Sequence, residues 1–175
     1  APLRAEKGTI YEGGIREPMI LWWPGTLEAG QLNDAIVTSV DFLPTFAELA
    51  GTTLPDEQAV DGISLVNILE GKEDDPERAI FWHYPVYHHD QPASVIRKGK
   101  WKLIHNLVND RRFLYDLEND TGENTDLSLS EPELTEKLYQ LLEEWRVDCK
   151  AEFPVPNPEF DPERRYEWGR HPDRN

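Results

Sequence analysis

The residue best suited to anion chemistry is Lys7, an ammonium carried by the glycine-rich stretch Lys7-Gly8-Thr9-Ile10-Tyr11-Glu12-Gly13-Gly14-Ile15-Arg16. Glycines at that density let the backbone turn tightly or approach a ligand closely. A lysine held where an α/β sheet strand ends neutralises an oxyanion, although a lysine taken alone is more often a solvated surface charge. Arg97, Lys98, Lys100, Lys102, Arg111 and Arg112 form a local basic stretch in an acidic chain. Lys98, Lys100 and Lys102 share strand parity, so they would present one face to an anionic polymer; the alternative is an ordinary solvated sheet face. His83, His88 and His89 lie near Tyr84, Tyr87, Asp90 and Gln91. Imidazole is a common metal ligand, but this spacing fits no strong zinc pattern. Rings, imidazoles and amides together suit sugar recognition by stacking and hydrogen bonding, and an ordinary surface loop is the competing account. Residues 116–123 have the acidic density of a calcium loop. Glycine falls one place late, however, and Leu127 stands where a bidentate glutamate belongs, so the segment reads as an acidic turn. Asn119-Asp120-Thr121 is a glycosylation sequon.

These groups need elements to position them. Residues 18–25 are a short apolar run bounded by breakers, which predicts a strand buried on both faces of a parallel or mixed sheet. Such a strand expects neighbours on both sides, and leaves apolar surface exposed around 19–23 where they are missing. Asp41 suits the cap of a helix running to about Ala50, with Pro44 in its first turn, Leu43, Phe46, Leu49 and Ala50 on one face, and Gly51 as its stop. A second short helix is expected over 64–69, closed by Gly71. The charged segment 72–77 reads as a linker. Beyond it, 79–84, 94–97, 101–105 and 112–116 are short, aromatic and β-branched, and separated by turn residues, with Gly99 turning the second strand into the third. Ser130 and Glu133 have capping-box spacing at the start of a helix that places Leu134, Leu138, Leu141, Leu142, Trp145 and Cys149 on one stripe. That helix is expected to pack across the sheet. The resulting organisation is α/β: residues 1–75 as part of a larger α/β domain, 76–153 as an antiparallel sheet with a packed helix, and 154–175 as an extended proline-rich tail.

A length of 175 residues suits one domain, or one small domain attached to part of another. The net charge of −16 disfavours a nucleic-acid partner, since no global positive field meets phosphates. An aromatic share of 10% argues against disorder, because large rings bury enough area to offset chain entropy. No apolar run approaches the roughly 20 residues a membrane span requires. Cys149 is the only cysteine, which excludes a disulfide framework within the chain and a Cys-based zinc site. Neither a P-loop nor a dinucleotide fingerprint is present, and no nucleophile–base–orienter set emerges. The chain opens Ala1-Pro2-Leu3-Arg4 without Met or a signal-peptide pattern, so it is expected to be cut, with targeting information outside it.

Several of these motifs, taken in order, resemble the type I sulfatases. They are Pro2-Leu3-Arg4, Lys7-Gly8-Thr9, Tyr11-Glu12-Gly13-Gly14-Ile15-Arg16-Glu17-Pro18, Trp23-Pro24-Gly25, Val40-Asp41-Phe42-Leu43-Pro44-Thr45, Leu49-Ala50-Gly51, Asp61-Gly62-Ile63-Ser64-Leu65, Ile96-Arg97-Lys98-Gly99-Lys100-Trp101-Lys102-Leu103-Ile104 and Leu114-Tyr115-Asp116-Leu117. The resemblance runs from residue 2 to about 145 and implies the C-terminal part of an alkaline-phosphatase-like sulfatase fold, ending in a small antiparallel sheet with a packed helix. It implies hydrolysis of sulfate esters by a formylglycine nucleophile beside a calcium ion, Ca2+, with nucleophile and metal ligands outside this chain. These 175 residues alone are therefore expected to be inactive. Cys149 is not in a Cys-x-Pro-x-Arg setting. The family catalytic residue that maps here is Lys7, which the resemblance implies binds sulfate oxygens and balances charge on the leaving group; Ala5-Glu6 departs from the small residues usual there. His83, His88, His89 and Arg97 are expected substrate contacts. The implied partners are a sulfated small molecule or carbohydrate and the remaining N-terminal part of the sulfatase, in an extracytoplasmic setting (periplasmic, secreted or lysosomal), without nucleic acid or a membrane span. A phosphoester or phosphonate hydrolase of the same superfamily and a non-catalytic binding module are the alternatives.

Overall fold

A computed structural model describes residues 2–72, 75 and 77–163. The chain divides into two compact units, Arg16–Ala79 and the residues up to Ile15 together with the chain from Ile80 onward. The boundary at Ala79 lies close to the expected linker, of which residues 73, 74 and 76 are outside the described residues, as are 164–175 of the expected tail. The residues up to Ile15, expected with the α/β part, fold instead with the sheet.

The sheet unit is framed by β1 (Ala79–Tyr84), β2 (Ala93–Lys98), β3 (Trp101–Asn106) and β4 (Arg112–Asp116), adjacent in chain order. These are the four segments that β-branched and aromatic content predicts. β2 and β3 pair antiparallel with Lys98 opposite Trp101, so Gly99 and Lys100 form the turn, and β3 pairs antiparallel with β4. Both faces of the sheet are covered. On one, Ile10 packs with Val95, Ile104, Tyr115 and Leu117. The other meets α4 (Pro132–Asp148), which contacts β2, β3 and β4, buries Leu138 and Leu142, and stacks Trp145 on Phe81 at 5.0 Å. Val95, Ile96, Leu103, Leu114 and Leu142 are fully enclosed, each contributing about 1.5–3 kcal/mol by leaving water.

α4 packs as expected but starts and faces differently. Glu131 is its N-cap with no side-chain cap bond, and Pro132 fills the first turn. Ser130 Oγ instead donates to the Leu127 carbonyl, so the capping box does not form. The buried stripe is Thr135, Leu138, Leu142 and Arg146, with Leu134, Leu141 and Trp145 half-buried and Cys149 exposed. The helix is turned by one position because the sheet offers polar partners, Ser94 and His105, that take Arg146.

In the unit 16–79, the expected strand at 18–25 is absent. Its backbone is irregular, and Ile20 and Trp22 are 89% and 85% exposed. A strand needs a hydrogen-bonded neighbour, and no described strand pairs with this segment. The expected apolar exposure is present. A 3₁₀ turn, Ser39–Asp41, leads into α2 (Phe42–Leu49), and α3 (Val66–Leu69) follows. Asp41 precedes α2 as its spacing predicts, yet its carboxylate does not cap the helix. It accepts from the Thr38 and Ile63 N–H groups at 2.7 and 3.0 Å and forms a two-armed ion pair with Arg78. Burial works against this carboxylate, but Arg78 and the two N–H groups outweigh it and hold its pKa below the ordinary value. The buried residues of α2 are Thr45 and Ala47, whereas Leu43, Phe46 and Leu49, expected on one face, are exposed. A groove of about 520 Å³ runs between Trp22, Trp23, Phe42, Phe46, Leu49 and Leu69.

Candidate functional site

Lys7 is exposed and stands in a loop that folds back on α1 (Glu12–Ile15). Thr9 binds the Glu6 carbonyl twice, through its N–H at 3.2 Å and its Oγ1 at 2.8 Å. The Gly13 N–H closes the base of the loop on the Arg4 carbonyl at 2.8 Å. A Cβ on Gly13 would collide with the Arg4 and Ala5 carbonyls, so close backbone approach explains the glycine. Gly8 has φ +90, and a Cβ there would meet His89 Cδ2 at 2.5 Å and His88 Nδ1 at 2.6 Å. The fold thus presses two expected site residues onto the peptide next to Lys7. His88 and His89 meet edge to face at 4.2 Å, and His88 leans on Tyr84. A cleft of about 250 Å³ opens beside them between Gly8, Thr9, Gly14, Trp82, His83 and Tyr84.

The loop is fastened by a buried charge cluster. Lys102 Nζ lies 2.9 Å from Glu12 Oε1 and 2.8 Å from Glu123 Oε1, and all three side chains are 1% exposed or less. Glu123 Oε2 accepts the Glu12 backbone N–H at 2.7 Å, while its own carbonyl accepts Arg4 Nη1 at 2.6 Å. Burial pushes the Glu123 carboxyl up, against the opposing pull of Lys102. Arg4 also lies 4.0 Å over the Tyr11 ring and donates to the Tyr115 hydroxyl, whose pKa burial pushes up to about 12.

The expected basic face does not form. Lys102 is enclosed, Arg97 reaches Glu12 at 3.5 Å, and Lys100 pairs with Asp116 and Glu118. Parity holds along one strand, but the two-residue turn makes Lys98 a cross-strand partner of Trp101, placing Lys98 and Lys102 on opposite faces. His83 lines the cleft, yet both ring nitrogens are engaged. Its Nε2 meets the Glu152 carbonyl at 2.7 Å, so that nitrogen carries the proton and Nδ1 accepts from Ser94 Oγ at 2.7 Å. Of the expected substrate contacts, the fold brings His88 and His89 against Gly8, the residue after Lys7, and commits His83 and Arg97 to protein partners. Residues 116–123 form an acidic turn as expected, with Asp116 and Asp120 accepting local hydrogen bonds and Glu123 at φ 50.

Among the described residues, no three His, Cys, Asp or Glu side chains gather as a metal-holding group. The sequence resemblance places the ligands of its calcium ion outside this chain. No described helix is long and apolar enough to cross a membrane.

The model of the N-sulphoglucosamine sulphohydrolase C-terminal family matches residues 5–148. The chain belongs to this sulfatase family. It is 36% identical over 168 residues to a sulfatase of Formosa agariphila, covering 86% of this chain and 30% of that protein. It is 34% identical over 165 residues to human arylsulfatase A, covering 79% of this chain and 32% of the relative. The chain thus spans about a third of the length of these curated relatives. A crystal structure of Ps i-CgsB in complex with k-i-k-neocarrahexaose superposes with a TM-score of 0.72 at 30% identity, covering 82% of this chain and 32% of that one. The fold is that of the C-terminal part of the alkaline-phosphatase-like sulfatases.

Glu12 and Glu123 carry no site expectation from the sequence, and Lys102, placed by strand parity on an outward face, is instead buried between them. Glu12 and Lys102 do lie in two of the family-like motifs, Tyr11-Glu12-Gly13-Gly14 and Gly99-Lys100-Trp101-Lys102, and the structure joins those motifs through an ion pair. Glu123 carries no such signal.

Proposed function

We propose that the protein containing this chain hydrolyses sulfate esters, and that Lys7 binds the reacting sulfate. The observation that carries this reading is the meeting of Lys7-Gly8 with His88 and His89 in a member of a sulfatase family. Cleavage of the ester S–O bond leaves negative charge on the departing oxygen. An ammonium already in place donates a hydrogen bond to that oxygen more strongly as the charge grows. His88 and His89 have ring nitrogens that serve as donors or acceptors for substrate oxygens, and the cleft lined by Trp82 and Tyr84 offers ring surfaces for a pyranose. We assign the substrate to sulfated carbohydrates. Supporting this are the neocarrahexaose complex above and a structure of another relative, 31% identical with a TM-score of 0.61, in complex with its substrate D-glucosamine-2-N,6-O-disulfate. In this reading the remaining part of the longer protein supplies the nucleophile and the calcium ion, covers the apolar groove of 16–79, and works outside the cytoplasm.

The test offers the full-length protein 4-nitrophenyl sulfate, sulfated mono- and oligosaccharides, and the matching phosphate and phosphonate esters. Sulfate release from a saccharide is the expected result. Release of phosphate or phosphonate alone would replace the reading with that of another esterase, and turnover of aryl sulfate without any saccharide would remove the carbohydrate assignment.

A further inference from the structure

A flexible lysine stabilises a developing charge only if its backbone is held still, and Lys7 is held from one side by Glu123. Arg4, before the loop, donates to the Glu123 carbonyl at 2.6 Å, and Glu12, after it, donates its backbone N–H to Glu123 Oε2 at 2.7 Å. The Gly13 N–H to Arg4 carbonyl bond joins the two stems at 2.8 Å. Lys7 lies on the segment between these two stems, which Ile10 in the core and Gly8 against His88 and His89 also hold. Lys102 lies beneath the clasp, 2.8 Å from Glu123 Oε1, in a site closed to solvent, so the clasp carboxylate is itself fixed. The Glu123 backbone adopts φ 50, a conformation that disfavours side chains other than glycine's. The strain is tolerated where the carboxylate does work that glycine cannot.

From this geometry we infer that Glu123, fixed by Lys102, is a positioning residue for Lys7: it clasps both stems of the Lys7 loop and sets where the ammonium meets the sulfate. The inference rests on the assignment of Lys7 given above. A displacement of about 1 Å at a reacting group costs up to roughly 100-fold in rate, so loosening the clasp is expected to lower turnover.

The experiment is a double-mutant cycle on the full-length protein, with kcat measured on a substrate it turns over and melting temperature recorded for each variant. Glu123→Ala is expected to lower kcat about 10- to 100-fold in the wild-type background and less than about twofold in the Lys7→Ala background, because its effect passes through Lys7. Arg4→Ala leaves the buried carboxylates in place and keeps the test available if Glu123→Ala does not fold. It is expected to show the same pattern with a smaller loss. Glu123→Gln, which retains an oxygen for the Glu12 N–H, should recover part of the rate. If Glu123→Ala and Arg4→Ala lose the same factor in both backgrounds, or lose nothing while Lys7→Ala is impaired, the positioning role is overturned and the Lys7 assignment survives. Full activity of Lys7→Ala overturns the assignment itself, whatever Glu123 does.

Discussion

An ammonium fully bathed in water gains little from a nearby anion, whereas one held at a closed site stabilises a charge that appears only in the transition state. Lys7→Ala in the full-length protein should therefore lower kcat/KM about 10²- to 10³-fold, or about 3–4 kcal/mol, with the melting temperature nearly unchanged because Lys7 is exposed. Lys137→Ala, an exposed charge on α4, is the control and should change the rate less than about threefold. Equal rates for wild type and Lys7→Ala would return Lys7 to the solvated surface. Lys102 is the opposite kind of lysine. Lys102→Met leaves the Glu12 and Glu123 carboxylates enclosed without the ammonium that lies against both, with Arg97 3.5 Å from Glu12, and should cost about 3–5 kcal/mol of stability. Denaturant unfolding measures this, and a loss under 1 kcal/mol would mean that water reaches the cluster.

At the level of elements, the contact between α4 and the sheet contains a titrating group. Arg146 Nη1 donates to His105 Nδ1 at 2.9 Å, so the proton of neutral His105 sits on Nε2 and faces Asp110 Oδ1 at 2.7 Å. The Tyr139 ring packs edge-on against the imidazole. Burial pushes the pKa of His105 below its ordinary value of 6.5; Asp110 opposes this, and Arg146 and Arg112 reinforce it. The unfolded chain then binds a proton at a higher pH than the folded one, and stability falls as pH drops below about 6.5. His105→Asn keeps an acceptor for Arg146 and does not titrate, so it should flatten that part of a melting-temperature-against-pH profile; an unchanged slope would place the titration elsewhere. The same elements show what the sequence could disclose. Strand spacing was legible because alternation and turn residues are local properties. The basic face was misassigned because facing across a hairpin depends on the length of the turn, and the helix stripe shifted because Arg146 answers to Ser94 and His105, about 50 and 40 positions away. In the candidate site, Lys7, His88 and His89 could be named from residue type and motif. Glu123 could not, since its partners Arg4 and Glu12 lie more than a hundred residues upstream.

For the whole molecule, charge and apolar surface act in opposite directions. A net charge of −16 keeps copies apart in dilute salt, while Ile20, Trp22 and Phe46 expose 89%, 85% and 63% of their surface in one unit. Exposed apolar area of this kind marks a surface that meets a partner, which we propose is the remainder of the longer protein. Asp41 adds an acid limit to the same unit. Its lowered pKa contributes stability above the ordinary value of 3.8 that is lost as pH falls through the folded value, so the comparison belongs near neutral pH. The 175-residue chain, without the implied nucleophile or metal, should release no sulfate from an aryl sulfate. Hydroxyl-radical footprinting tests the partner surface directly. In the isolated chain, Trp22 and Trp23 should oxidise readily, and Trp145, half-buried and stacked on Phe81, should oxidise slowly and report that the sheet unit is folded. In the full-length protein, oxidation of Trp22 and Trp23 should fall several-fold while that of Trp145 stays the same. Equal labelling of Trp22 and Trp23 in both, with Trp145 protected in both, would show that the apolar groove faces solvent in the full-length protein and that the rest of the protein docks elsewhere.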